Sequence, residues 1–328
     1  MNMVEYIIVG AFFLLFELAY MKAAVKLRIF DVPHHQSSHT GVVVRGGGIV
    51  FYVAFLLWAL VNGIPDDGRL LGLTILAGVS FADDIHSISP KVRLVCHFIA
   101  IVLMFYHSVL IQTSPHVFFL LTVACVGAVN IYNFMDGING MTGGYSLVVA
   151  LALLYTNVYV VHFSDTKLIV YVILAILVFI IFNFRQHAKC FAGDVGSLSI
   201  GGILVYFTLR LILCGQSMAW MVFLAVYAVD GGLTILRRFL LGENIMSPHK
   251  KHVFQIMTNE LKMPHLLVSG IYMALQATCC VFFIIWPNYF TFFAEIIILV
   301  AMHLVFIKKY YHLHINYREL HTNMAVNG

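Results

Sequence analysis

What most constrains this chain is a succession of long apolar runs, each separated from the next by a short polar stretch. A helix needs about 20 apolar residues to cross a bilayer, with a range of roughly 17–25. By that measure the sequence predicts about eleven spans, near residues 3–24, 46–64, 69–83, 92–111, 116–133, 143–162, 167–184, 197–214, 218–236, 266–286 and 290–307. Only 10% of the 328 residues are charged, against about 25% in soluble domains, and the mean hydropathy is +0.93. The expected fold class is all-α, a polytopic integral membrane protein. A single soluble core is excluded.

Charge placement orients the spans. With the N-terminus outside, all but three of the 19 Lys and Arg fall in cytoplasmic connections, as the positive-inside bias requires. The exceptions are Arg69, Lys167 and Arg210, the last near the outer end of the eighth span and expected to snorkel. This predicts one transmembrane domain over 1–328, with cytoplasmic loops at about 25–45, 84–91, 134–142, 185–196 and 237–265 and a cytoplasmic tail at 308–328. The outer connections, around Asp66, Gln112, Asp165, Gln216 and Asn288, are short and carry no candidate chemistry. The first apolar segment lacks a basic leader and has Lys22, Lys26 and Arg28 after it, so it reads as a retained helix, not a cleaved signal. Five cysteines lie in apolar runs, where a thiol behaves as a small hydrophobe, and Cys190 lies in a polar loop. None suggests a disulfide framework.

Five polar stretches converge on the predicted cytoplasmic side. Asn130, Asn133 and Asp136 recur every third position, so a helix continued to its end would stack them on one face. Gly137 and Gly140 then break the helix and admit a ligand to the backbone. At Asp83-Asp84, adjacent carboxylates end the third span, either as a solvated acidic end or as a metal or proton-transfer pair, because like charge raises one pKa. Lys91 and Arg93 follow and suit anionic groups. In Phe191-Ala-Gly193-Asp194-Val-Gly196-Ser197, Ser197 is the expected N-cap, glycines leave room for phosphate at a helix N-terminus, and Asp194 could hold Mg²⁺. Ser247-Pro248 reads as a helix start, with His249 and Lys250 in the first turn and His249 and His252 on one face. A zinc site or a basic, lipid-attracted loop is the rival there. The fifth stretch, Asp31 to His39 and on to Arg45-Gly46-Gly47-Gly48, offers a Gly run that either cradles phosphate or starts the second span. Within the spans, Glu17 and Glu295 are candidates for pairing with other helices, and Asp230 for joining the site.

Four of these motifs, Asp83-Asp84, Asn130-x-x-Asn133-x-x-Asp136-Gly137, Phe191-x-Gly193-Asp194-x-Gly196-Ser197 and His249-x-x-His252, together resemble those of a known family. It is the polyprenyl-phosphate N-acetylhexosamine-1-phosphate transferases, the MraY/WecA-type enzymes of glycosyltransferase family 4. The resemblance covers about residues 3–307. It implies transfer of a sugar 1-phosphate from a UDP-sugar to undecaprenyl phosphate with release of UMP, dependent on Mg²⁺ or, alternatively, Mn²⁺. On this resemblance Asp83, Asp84 and Asp194 are catalytic. Asp194 takes the metal-binding position, and Asp83 deprotonates or positions the lipid phosphate. Asn130, Asn133, Asp136, Asn139, Asn183, Phe191, His249 and His252 fall to substrate, with Phe191 packing on uracil, and Arg45, Lys91 and Arg93 to anionic groups.

The chain departs from the pattern at Asn139, where many members carry Asp, at Gln36, and at Val42-Val43-Val44 before Arg45. His-Lys-Lys-His-Val-Phe-Gln resembles the WbpL-like branch that starts O-antigen or capsule chains, which puts GlcNAc or a 6-deoxy-N-acetylhexosamine ahead of muramyl-pentapeptide. The implied partners are the two substrates and membrane lipid, with no nucleic acid and with a homodimer allowed. The implied location is the bacterial inner membrane. Three alternatives stay open: the phospho-MurNAc-pentapeptide transferase of peptidoglycan synthesis, a transporter, and a non-catalytic paralogue. A transporter would place its carboxylates near the bilayer midplane rather than at helix ends.

Overall fold

The computed structural model describes residues 3–31, 41–109, 113–244, 247 and 249–326, the backbone alone for 108–109 and 314–326. Its helices are α1 (Met3–Leu27), α2 (Ile49–Asn62), α3 (Arg69–Ile85), α4 (Pro90–Val109), α5 (Pro115–Met135), α6 (Met141–Tyr159), α7 (Thr166–Asn183), α8 (Gly193–Gly215), α9 (Ala225–Leu240), α10 (Val253–Asn259), α11 (His265–Ile285) and α12 (Tyr289–Val326). A 3₁₀ segment, Met218–Leu224, leads into α9. Each of the eleven predicted spans coincides with a helix, the ninth with the 3₁₀ segment joined to α9. Among the described residues, nine segments are long and apolar enough to cross a membrane. The other two predicted spans are the shortest, α2 with 14 residues and α3 with 17. At about 1.5 Å per residue α2 is short of a 30 Å core and α3 stands at the lower end of the spanning range. Helix α12 continues to Val326, so the segment expected as a tail from 308 is helical.

Helix α8 is the axis of the bundle. Of its most apolar window 78% is buried, against 11% for α12, so α8 is walled by protein while α12 lies at the rim. Contacts between α8 and α2 are backbone-close, because Gly48 and Gly196 face each other. A Cβ on Gly48 would lie 2.4 Å from the Gly196 Cα.

Polar side chains tie the helices where apolar burial gives little drive between them. The Tyr132 and Ser146 hydroxyls join α5 to α6 at 2.6 Å. Tyr145 donates to Gln276 Oε1 at 2.7 Å, and Gln276 donates to the Val222 carbonyl at 3.0 Å. The Tyr145 and Tyr227 rings stack at 3.6 Å. All six cysteines are free. Arg210 donates to the Phe163 carbonyl at 3.3 Å. Of the two span glutamates, Glu17 lies 3.5 Å from the Cys190 thiol, whereas both Glu295 oxygens are buried without a hydrogen-bond partner among the described residues.

The two ends of the bundle differ. At one, Trp58 donates to Asp165 at 2.8 Å and Lys167 meets Glu5 at 3.0 Å, which closes α1, α2 and α7. At the other, a two-stranded ribbon, β1 (Phe30–Asp31) with β2 (Val43–Val44), runs antiparallel, and Val44 also bridges Cys190. The Val42–Val44 departure thus supplies a strand that delivers Arg45. The rest of that loop, including Gln36 and His39, lies outside the described residues, as does Pro248.

Candidate active site

At the ribbon end, the C-termini of α3 and α5 meet the N-termini of α4, α6 and α8. Three carboxylates and two guanidinium groups gather there. Asp84, the last acid of α3, has no side-chain exposure and accepts the backbone N–H groups of Asp194 and Val195, each at 2.9 Å. These N–H groups open α8, so a carboxylate caps their partial positive charge. The turn needs Gly193, whose φ is +70°. A Cβ there would lie 2.6 Å from Asp84 Oδ2. The Arg45 Nε lies 2.6 Å from Asp84 Oδ1, and its Nη2 lies 3.5 Å from Asp194 Oδ1. Burial works against the Arg45 charge, yet Asp84 and Asp194 hold its pKa above the ordinary value. Arg93 Nη1 bridges Asp83 and Asp194, 2.8 Å from the latter. Asp83 also accepts the Ile88 N–H at 2.6 Å. Arg45, Arg93, Asp83, Asp84 and Asp194 therefore form one continuous ion network. Lys91 stands exposed beside it and pairs with none of the described acids.

The Asn–Asn–Asp row is spread over different partners. Helix α5 stops at Met135, and Asp136 is its C-cap with ψ +81°, so the third member leaves the helical face expected of it. Asn130 donates to its own helix at the Val126 carbonyl, 2.7 Å away. Asn133 accepts the Ser197 hydroxyl at 2.6 Å. Asp136 accepts the Thr142 hydroxyl at 2.7 Å, and burial pushes its pKa up to about 6 despite that bond.

Two predicted caps are corrected. Ser197 does not cap α8, which starts four residues earlier at Gly193; its hydroxyl reaches the Gly193 carbonyl at 3.0 Å as well as Asn133. Asp84 has taken the capping role from outside the helix. Ser247 does not start a helix either. Its hydroxyl and carbonyl, with the Asn244 carbonyl, are engaged by the buried Arg238 at 2.6–3.1 Å. Helix α10 begins at Val253 with His252 as N-cap, because the Val253 N–H finds Asp230 and the His252 N–H finds Gln255. His249 and Lys250 thus precede the helix. The two imidazoles still meet, with ring centres 4.9 Å apart, and burial with the neighbouring His252 pushes His249 down to about 3, keeping it neutral.

Other predicted contacts prove to be ties between loops. Asn139 donates to the Arg185 and Gln186 carbonyls at 2.9 and 3.1 Å. Asn183 accepts the Gly140 N–H at 2.8 Å and donates to the Cys190 carbonyl at 2.9 Å. Their amides hold the 134–142 and 184–192 loops together. The glycine run is likewise structural, since the Gly47 and Gly48 N–H groups are spent on the Phe191 and Ala192 carbonyls at 2.9 and 3.1 Å. Half-buried Phe191 is fixed through its backbone, its N–H bonded to the Val44 carbonyl at 2.8 Å. Cys190 beside it is fully buried, which pushes its thiol pKa up.

Three participants escaped the sequence reading. Tyr20 donates to the Arg45 carbonyl at 2.7 Å and Thr142 holds Asp136. His303 on α12 faces Asp230 at 3.7 Å. Tyr20 alone left a signal, three residues after Glu17 on the same helical face.

The donor set suits a hard cation in kind, being carboxylate oxygen only. No group of three or more His, Cys, Asp or Glu side chains is set to hold a metal among the described residues. Asp84, with no side-chain exposure, is held by two N–H groups and Arg45, whereas the Asp194 and Asp83 side chains are 17% and 9% exposed. One or two carboxylates with substrate phosphates are the usual Mg²⁺ arrangement, and these residues fit that.

Comparison with known proteins agrees with the geometry. The family model described as "Glycosyl transferase family 4" matches residues 68–212, a stretch that runs from α3 into α8 and carries all three network carboxylates. The chain is 27% identical over 257 residues to a "Probable undecaprenyl-phosphate N-acetylglucosaminyl 1-phosphate transferase" of Bacillus subtilis (strain 168), covering 71% of this chain and 70% of that protein. It is 26% identical over 263 residues to the undecaprenyl-phosphate alpha-N-acetylglucosaminyl 1-phosphate transferase of Escherichia coli (strain K12), covering 72% and 70%. A phospho-N-acetylmuramoyl-pentapeptide-transferase of Dictyoglomus thermophilum is 31% identical over 193 residues, covering 52% and 59%. The motif order, the helical bundle and these relatives agree: the chain is similar to glycosyl transferase family 4 over residues 68–212, and to undecaprenyl-phosphate N-acetylglucosaminyl 1-phosphate transferases over about 70% of its length.

Proposed function

We propose that this protein transfers an N-acetylhexosamine 1-phosphate from a UDP-sugar to undecaprenyl phosphate at the cytoplasmic face of a bacterial inner membrane, opening the synthesis of a surface polysaccharide such as O-antigen or capsule. GlcNAc, or a 6-deoxy relative, is the favoured sugar. The observation that carries this reading is the ion network, in which Arg45 and Arg93 hold Asp83, Asp84 and Asp194 together at the helix ends. The relatives that cover most of this chain carry names of GlcNAc-1-phosphate transferases.

Two phosphate-bearing substrates repel each other, and fixed cations lower that barrier without reorganising during reaction. Arg45 and Arg93, already locked by carboxylates, would turn their remaining N–H groups to the donor pyrophosphate. Asp83, held by Arg93 and the Ile88 N–H, would take the proton from the lipid phosphate. A lipid phosphate oxygen then bonds to the donor's β-phosphorus as that atom's bond to the bridging oxygen breaks. The bridging oxygen leaves with its electron pair on UMP. Bound Mg²⁺, held by Asp194 with Asp83, would supply charge neutralisation at the phosphates. Asp84 would keep Asp194 in place, and His249 and His252 would face the donor.

The test is UMP release by purified protein with Mg²⁺ and undecaprenyl phosphate across a panel of UDP-sugars. Lipid-dependent UMP from UDP-GlcNAc or a 6-deoxy-N-acetylhexosamine donor is expected. Release from UDP-MurNAc-pentapeptide alone would replace the sugar assignment, and silence from every donor would overturn the activity.

A further inference from the structure

His252, the N-cap of α10, is 1% exposed, and among the described residues neither ring nitrogen has a full hydrogen-bond partner, the Gln255 N–H facing its side chain in the capping box of α10. Buried polar groups are seldom left so. Its nearest acid is Asp230 of α9, itself 4% exposed. One Asp230 oxygen, Oδ2, accepts the Tyr272 hydroxyl at 2.6 Å from α11. The other, Oδ1, accepts the Val253 N–H at 3.1 Å and has the Thr234 hydroxyl at 3.4 Å. Two imidazoles then face Oδ1, the Nδ1 of His252 and the Nδ1 of His303, each at 3.7 Å.

Neither distance is a hydrogen bond, which needs about 2.7–3.2 Å. A shift below 1 Å, about the scale of a side-chain adjustment, would let either imidazole close. Of the two lone-pair directions of Oδ1, one takes the Val253 N–H and the other is held only by the Thr234 hydroxyl at 3.4 Å, which leaves room for one imidazole. His303 comes from α12 at the rim of the bundle, whereas His252 caps α10, whose Phe254 ring packs on Gly137 beside Asp136.

We propose that Asp230 and His303 are positioning residues for His252. The two imidazoles compete for one carboxylate oxygen, and His303, when it takes Asp230, releases His252 toward the donor. This rests on the transferase reading for what His252 faces, but the competition itself does not.

The test therefore has one readout independent of turnover, the rate at which diethyl pyrocarbonate modifies His252, mapped by mass spectrometry in the full-length protein. Asp230→Asn removes the charge that holds His252 and should speed modification. His303→Leu removes the competitor, leaves His252 on Asp230 and should slow it. Each change should be up to about tenfold, the worth of one hydrogen bond to a charged group. A merely structural role would move both rates the same way, since loosening exposes the ring in either variant. Rates that rise together, or a His303→Leu rate no lower than the wild type, would overturn the proposal. Should Asp230→Asn fail to fold, His303→Leu decides alone. In the active enzyme His303→Leu should raise the KM for the UDP-sugar and leave the KM for the lipid phosphate unchanged. Wild-type protein without UMP release defeats the transferase reading only, because the modification rates still report the competition.

Discussion

Asp83 and Asp84 are neighbours in sequence, but their tasks in the structure differ, and substitution should separate them. Asp84 accepts two backbone N–H groups at 2.9 Å and the Arg45 Nε at 2.6 Å, with no side-chain exposure. Asp84→Asn keeps one carbonyl oxygen and turns an NH₂ toward the second N–H. One hydrogen bond to a charged acceptor is lost, a cost of about 1.5–3 kcal/mol. The Arg45 attraction weakens as well, and because the Arg45 side chain is 30% exposed that part is discounted to about 1 kcal/mol or less. The sum is about 2–4 kcal/mol of lost stability. Asp83→Asn loses less, since its Arg93 partner keeps Asp194 as a second acid. Thermal unfolding in detergent, followed by tryptophan fluorescence, should place the Asp84→Asn midpoint clearly below both the wild type and Asp83→Asn. Both variants should lose UMP release. An Asp84→Asn protein that melts with the wild type would refute the assignment of Asp84 as the anchor of α8.

Two more outcomes follow from the geometry. Gly48→Ala should pry α2 from α8, since its Cβ would meet the Gly196 Cα at 2.4 Å and the Ala192 carbonyl at 2.9 Å, at about 1–3 kcal/mol; Gly78→Ala, with nothing within 4 Å, should melt with the wild type, and equal melting of both would sink the close-packing argument. Asp136 has a folded pKa raised to about 6, so between the unfolded carboxyl range near 4 and that value the folded state binds the extra proton, and stability should fall as pH rises through this window; Asp136→Asn should flatten the dependence, as midpoints measured from pH 4 to 7 would show.

Much of the fold was legible in the sequence because a bilayer imposes a length and a polarity on each segment. All eleven apolar runs became helices, and the acidic residues singled out at the ends of the third, fifth and eighth do lie at helix ends, whereas Asp230 of the ninth lies inside α9. The ion network was legible only as a list of members. Nothing in the spacing of Arg45, Asp84 and Asp194 shows that two N–H groups of α8 would be capped by a carboxylate 110 residues earlier in the chain. For that reason the local N-cap rule failed at Ser197.

The same holds at Ser247, where a local helix-start signal lost to Arg238, a buried cation that needed those oxygens. Asn139 and Asn183 read as ligand contacts because amides bind ligands, yet two loops packed together left their own carbonyls and N–H groups to satisfy, and the amides went there. Local sequence therefore determined the helices, their order and which chemical groups stand at their ends, because those follow from hydropathy and from backbone preference within a few residues. Only the tertiary structure decided which acid anchors a helix, which acids share Arg93, and which histidine from α12 faces Asp230. Those choices depend on groups far apart in sequence competing, at close range and away from water, for a limited number of hydrogen-bond partners.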